Sequence, residues 1–216
     1  MKDRYSRQSE LIPQENLGRA SVLIAGVGGL GGFSSLNLAL AGVGKIILVD
    51  HDNVEESNLN RQVLYRMDDL GKKKVYVAAR RLRELNPQVD VVPLDGKIGE
   101  VEIPHRVDIL VDGLDNIESR LIAQEFALSH NAPFVFGAVE GYMGMLTFID
   151  STTKRLEDFI SNFPQREPQV LAATAAFTAS LQALEVIKYL SGKGDLLRDR
   201  LLIYDALSTN FLEVKL

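Results

Sequence analysis

The chain has 216 residues, 46% hydrophobic and 25% charged, with a net charge of −5 and no cysteine. That length suits one large domain with a substantial core, and the missing cysteine excludes disulfides, thiolate-held zinc and a cysteine nucleophile on this chain. The balance is acidic and no long Lys/Arg block appears, so no nucleic-acid partner is expected.

Taken in chain order, residues 1–20 form an N-terminal helical segment whose start, MKDRYSRQSE, lacks the apolar stretch of a signal peptide. No run approaches the roughly 20 apolar residues of a membrane span, so a cytoplasmic protein with no membrane partner is expected. Ser21–Ala25 reads as a buried parallel strand ending at Gly26, and Gly29–Ala41 as a helix closed by Gly42 and Gly44. Lys45–Asp50 is a second apolar strand ending in acid, which completes a βαβ unit. Lys73–Leu85 is an amphipathic helix stopped by Asn86-Pro87. Strands follow at Val89–Leu94 and Asp108–Val111, then a helix at Ile117–His130 and a strand at Phe134–Ala138. Residues 21–140 therefore read as a nucleotide-binding, Rossmann-like, doubly wound α/β core with a mostly parallel sheet.

Residues 141–216 differ in texture. Met143–Ile149 reads as a strand, 150–168 as a polar irregular segment, and Val170–Leu190 as a helix. Leu201–Tyr204 and Phe211–Val214 suit an antiparallel pair, giving a mixed C-terminal completion of a single domain. Gly141-Tyr-Met-Gly144 is either a plain turn before a core strand or a strand edge that accepts an extended peptide.

Gly26, Gly28 and Gly31 make a GxGxxG between a strand and a helix. In such a turn the first glycine permits the bend, the second admits phosphate to the backbone, and the helix N-terminus supplies free N–H groups. Gly26, Gly28, Gly29 and Gly31 are the candidate nucleotide-contacting glycines, and Asp50 stands where a carboxylate would bind ribose hydroxyls. That much fits NAD equally well. Asp50, Asp52, Asn58, Arg61 and Lys74, spread over the next 25 positions, favour a triphosphate, because reaction at phosphorus develops charge that cations and Mg²⁺ stabilise. His51, His105 and His130 share no ligand spacing.

The segments RYSRQ, GVGGLGG, LVDHDNVEESNLNRQ, GKKKV, LNP, VDGLDN and LQALEVIKYLSG occur in the order of the ThiF/MoeB/HesA family, which the chain resembles from Arg4 to its last strand. The resemblance implies an adenylyltransferase like the adenylation domain of ubiquitin-activating enzymes. It implies ATP and Mg²⁺ as cofactors and a small β-grasp sulfur carrier ending in Gly-Gly as the partner. By motif position, Asp50 would hold the ribose, and Asn58, Arg61 and Lys74 the phosphates and departing pyrophosphate. Asp115 would hold Mg²⁺, and Arg7 would reach the ATP of the neighbouring subunit in a homodimer. Asp52 and Asn116 join them as nucleotide contacts, or as supporting and N-cap residues.

Many members of that family carry two CxxC pairs for zinc and a cysteine in the loop over the carrier tail; this chain has none. Its crossover loop, 151–168, is short, and no enzyme-bound thioester is expected. Adenylylation of a carboxylate on a modified tRNA base, a nucleotide-binding pseudoenzyme and an NAD oxidoreductase are the competing readings.

Overall fold

The computed structural model describes residues 3–160 and 168–216. After α1 (Gln14–Arg19) come β1 (Ser21–Ala25), α2 (Gly29–Ala41), β2 (Lys45–Asp50), α3 (Lys74–Leu85), β3 (Asp90–Asp95) and β4 (Ile109–Asp112). The second half holds α4 (Ile117–Ser129), β5 (Phe134–Glu140), β6 (Met143–Ile149), α5 (Leu156–Phe159), α6 (Ala172–Ser191), β7 (Arg200–Asp205) and β8 (Asn210–Lys215). All eight strands join one sheet in the order β3-β2-β1-β4-β5-β6-β7-β8. Strands β3 to β5 along that order are parallel, and β6, β7 and β8 add antiparallel. The Rossmann-like core and its mixed completion are thus as the sequence leads one to expect.

Alternation along the central strands explains the sandwich. Val22 and Ile24 of β1 pack with Leu38 of α2, Ala78 and Leu82 of α3, and Val186 of α6. Leu23 and Ala25 face the other way, towards Ala123 and Ala127 of α4 and Leu156 of α5. Because both faces are covered, β1 is buried along its whole length and reads as a continuous apolar run. At the end of α3, Asn86 donates from Nδ2 to Ala39 O (2.7 Å) and Tyr5 Oη (2.8 Å), which fixes the LNP stop and the N-terminal segment together.

Several expected boundaries shift. The N-terminal segment is helical only over Gln14–Arg19; residues 4–12 form successive turns, and Pro13, which disfavours helix in the residue before it, separates them from α1. Residues 1–2 of that segment lie outside the described residues. β3 starts at Asp90 rather than Val89, β4 runs over 109–112, and β5 extends to Glu140. The segment expected to be irregular contains α5, anchored where Gln124 Oε1 accepts from Leu156 N at 2.7 Å. Of the crossover loop at 151–168, residues 161–167 lie outside the described residues.

The peptide-accepting edge at Gly141–Gly144 is not available. β6 is paired on both sides, by β5 and β7, and the Gly141 N–H already donates to Gln169 O. Gly144 is small for a packing reason: a Cβ there would stand 2.5 Å from both Thr178 Oγ1 and the Tyr204 ring.

Candidate active site

Strand order reverses between β1 and β4, and a cavity of about 370 Å³ opens at the carboxyl ends of β1, β2 and β4. Open α/β sheets bind ligands at such switch points. The turn after β1 shapes one wall. Gly26 adopts φ 81°, and a Cβ on it would lie 2.7 Å from Gly113 O. A Cβ on Gly31 would lie 1.9 Å from Gly26 O, so these glycines weld the turn to the loop after β4. Gly26, Gly28 and Gly29 line the cavity; Gly31 does not, and its role is this backbone contact. Gly28 caps α2 without any side-chain hydrogen bond, which leaves the positive end of a 13-residue helix directed at the cavity.

Asp50 closes β2 at the cavity floor, 8% exposed. Its Oδ2 accepts from Val27 N (2.7 Å) and its Oδ1 from Asp52 N (2.8 Å), tying the glycine turn to the end of β2. Burial raises its pKa above the ordinary carboxylate value, against the pull of Lys74 and the two backbone bonds. Each oxygen keeps a further lone pair for a ligand hydroxyl. Tyr65 braces the same turn by donating to Val27 O at 2.7 Å.

Lys74, buried at the start of α3, bonds Asp52 Oδ2 at 2.8 Å. Burial disfavours the Asp52 carboxylate, but the Lys74 hydrogen bond and charge, with His51, outweigh it and hold its pKa low. Asp52 is therefore the partner that keeps Lys74 pointed at the cavity. Carboxylate and imidazole atoms of Asp50, His51 and Asp52 lie within 4.8 Å of one another. Their oxygens already serve Lys74 and backbone N–H groups, so this cluster is an anchor rather than an ion site.

Asn58 turns inward and accepts from Glu55 N at 3.0 Å, which shapes the loop that carries Arg61. Arg61 donates from Nη1 to Ser57 O (2.8 Å) and Asn60 Oδ1 (2.9 Å) while its stem lies beside Gly29 at the α2 N-terminus. Across the cavity, Asn116 caps α4 by accepting from Ser119 N at 2.9 Å and donates to Asp115 Oδ1 at 3.1 Å. Asp115 Oδ2 has no hydrogen-bond partner among the described residues and lines the cavity, which suits a cation held by one carboxylate plus phosphate oxygens.

Arg7 is the exception. It is exposed and outside the cavity lining. Its neighbour Gln8 donates to Ala41 O (2.8 Å), at the far end of α2, a helix about 20 Å long. The structure gathers the other candidates at the cavity, apart from Gly31 just behind it, and leaves Arg7 outside the lining.

Two cavity residues, Gln62 and Arg120, and the buried partner of the second, Asp112, were not singled out from the sequence. Gln62 follows Arg61 and is nearly buried. Asp112, wholly buried, forms an ion pair with Arg120 (3.2 Å), which in turn donates to Leu114 O (2.7 Å) and lies over the Phe136 ring. The acid ending the β4 run was a legible hint; its partner, a helical turn away on α4, was not.

The ThiF family model matches residues 5–216. The sulfur carrier protein adenylyltransferase of Thermus thermophilus is 37% identical, with 97% of this chain aligned to 85% of that protein. A probable molybdopterin-synthase adenylyltransferase of Porphyra purpurea is 34% identical over 99% of this chain, which spans 60% of its length. The SAMP-activating enzyme E1 of Haloferax volcanii is 34% identical, with 83% of that protein covered. In fold, E. coli MccB crystallised with ATP superposes with a TM-score of 0.86 at 24% identity, covering 100% of this chain and 71% of MccB. A shared profile across nearly the whole length and curated relatives above 30% identity lead to one conclusion: the chain belongs to the ThiF family.

Proposed function

We propose that this protein uses Mg·ATP to adenylylate the C-terminal carboxylate of a small β-grasp sulfur carrier ending in Gly-Gly. The observation that carries the reading is the convergence of an uncapped helix N-terminus, Arg61, Lys74 and Asp115 on one cavity. Similarity to proteins named sulfur carrier and molybdopterin-synthase adenylyltransferases supports it. A carboxylate is a poor acyl donor because its leaving group would be oxide. Attack of a carboxylate oxygen on the α-phosphorus forms the new P–O bond, breaks the bond to the β-phosphate oxygen, and releases pyrophosphate.

In this reading Gly28 and Gly29 receive the phosphate chain, and Asp50 accepts from the ribose hydroxyls. Arg61, Lys74 and Asn58 take up the charge that grows on the leaving pyrophosphate. Asp115 would hold Mg²⁺, which when bound neutralises phosphate charge. Arg7 would complete the site of the neighbouring subunit in a homodimer, consistent with its place at the far end of α2. Exposed Phe177 and Phe211, in edge-to-face ring contact near the β8 edge, offer an apolar surface for a protein partner. The chain has no cysteine, so the acyl-adenylate passes to a nucleophile supplied from elsewhere.

The test is mass spectrometry of Gly-Gly-tailed carrier proteins incubated with the enzyme and Mg·ATP, with a tRNA pool treated in parallel. An AMP adduct on a carrier C-terminus supports the proposal. A mass change confined to a tRNA nucleoside replaces it with the modified-base reading, and ATP binding with neither product leaves a pseudoenzyme.

A further inference from the structure

Gln62 lies in the wall of the cavity, 6% exposed, and its Oε1 is buried with no hydrogen-bond partner among the described residues. Among the described residues, Nε2 has no hydrogen-bond partner either. A Cβ on Gly28 would stand 3.6 Å from Nε2, so the amide nitrogen hangs over the glycine that admits a ligand to the turn. Its neighbours are satisfied: Tyr65 bonds Val27 O, and Asn58 bonds Glu55 N. Native interiors seldom leave a buried side-chain amide unpaired, because its desolvation then goes uncompensated. On this side of the cavity the uncapped start of α2 and Arg61 supply donors and positive charge, while Asp50, Asp52, Glu55 and Asp115 line it elsewhere, and Nε2 of Gln62 over Gly28 is a further donor. That surrounding selects an oxyanion.

We infer that Gln62 is a nucleotide-contacting residue that donates from Nε2 to an oxygen of the phosphate chain where it passes Gly28. The inference rests on the nucleotide reading above. It adds one side chain to the set that holds the phosphates, and it gives a partner to the Nε2 that hangs over Gly28.

The experiment compares wild type, Gln62→Met and Gln62→Glu by thermal unfolding without ligand and by calorimetric titration with Mg·ATP. Methionine matches the shape and removes the unpaired amide. The ligand-free melting temperature should therefore hold or rise, while ATP affinity falls about tenfold or more. Glutamate should bind ATP more weakly than methionine at neutral pH, with the gap closing as the pH falls and the carboxyl protonates. A structural role gives the opposite pattern, a lower ligand-free melting temperature with ATP affinity unchanged, and overturns the inference. Variants that bind ATP like a wild type that itself binds it overturn this inference alone. A wild type that binds no ATP overturns the nucleotide reading and this one with it.

Discussion

Replacing Arg120 with methionine tests whether a buried ion pair holds the loop that carries Asp115. Asp112 is wholly buried; its Oδ2 lies 3.2 Å from Arg120 Nε, and its carboxylate also accepts from Leu114 N (3.0 Å) and Gly137 N (3.4 Å). Without Arg120 the carboxylate stays buried with backbone bonds only, and Leu114 O loses its donor. Removing one partner of such a pair costs about 3–5 kcal/mol, which for a chain of this size is roughly 6–20 °C in Tm. The sign with pH follows from Asp112. Burial raises its folded pKa although Arg120 pulls it down, and losing Arg120 raises it further. The folded variant is therefore penalised most above that raised pKa, and the penalty shrinks as the pH falls through it towards the unfolded value of about 3.9. Urea unfolding of wild type and variant at neutral and mildly acidic pH measures both effects. A loss under about 1 kcal/mol, or one that does not change with pH, would refute the reasoning, since the pair would then not be carrying the loop.

Asp115→Ala and Arg61→Ala should each abolish carrier adenylylation while circular dichroism and Tm stay near wild type, because both side chains bond only their own loops; wild-type turnover in either would remove that residue from the site. Gly31→Ala places a methyl 1.9 Å from Gly26 O, so soluble yield and Tm should drop sharply, and a wild-type melting curve would show that the turn is not so tightly welded. Asp69, buried among Lys72, Arg80 and Arg81, is disfavoured as a carboxylate by burial, but hydrogen bonds from Lys72, Arg81 and the Arg66 backbone, with the Arg81 charge, hold its pKa below the ordinary value. Asp69→Asn should cost about 1–3 kcal/mol above the unfolded pKa. The difference from wild type should vanish as pH falls through the depressed folded pKa, and a deficit that persists in acid would point to packing instead.

The sequence alone determined the strand-turn-helix order, because its signals are local. Apolar runs mark strands covered on both faces, Gly42 and Asn86 stop helices, and the GxGxxG can only bend where it does. It also put forward Asp50, Asn58, Arg61, Lys74 and Asp115 as candidates from motifs of fixed spacing, and all five line one cavity. Tertiary structure decided what each of these residues touches. Asp50 ties the glycine turn to the end of β2 through Val27 N and Asp52 N, Asp52 is Lys74's anchor, and Gly31 packs against Gly26 instead of facing the cavity. It also decided that β6 is interior, closing off the edge that Gly141–Gly144 suggested, and that Arg7 lies at the far end of α2. The pairing of Asp112 with Arg120 and the unpaired amide of Gln62 belong to the same class. Periodicity says which face of a strand or helix is buried. Which polar atoms then meet across the sheet depends on strand order and register, and those are fixed only when the whole sheet assembles.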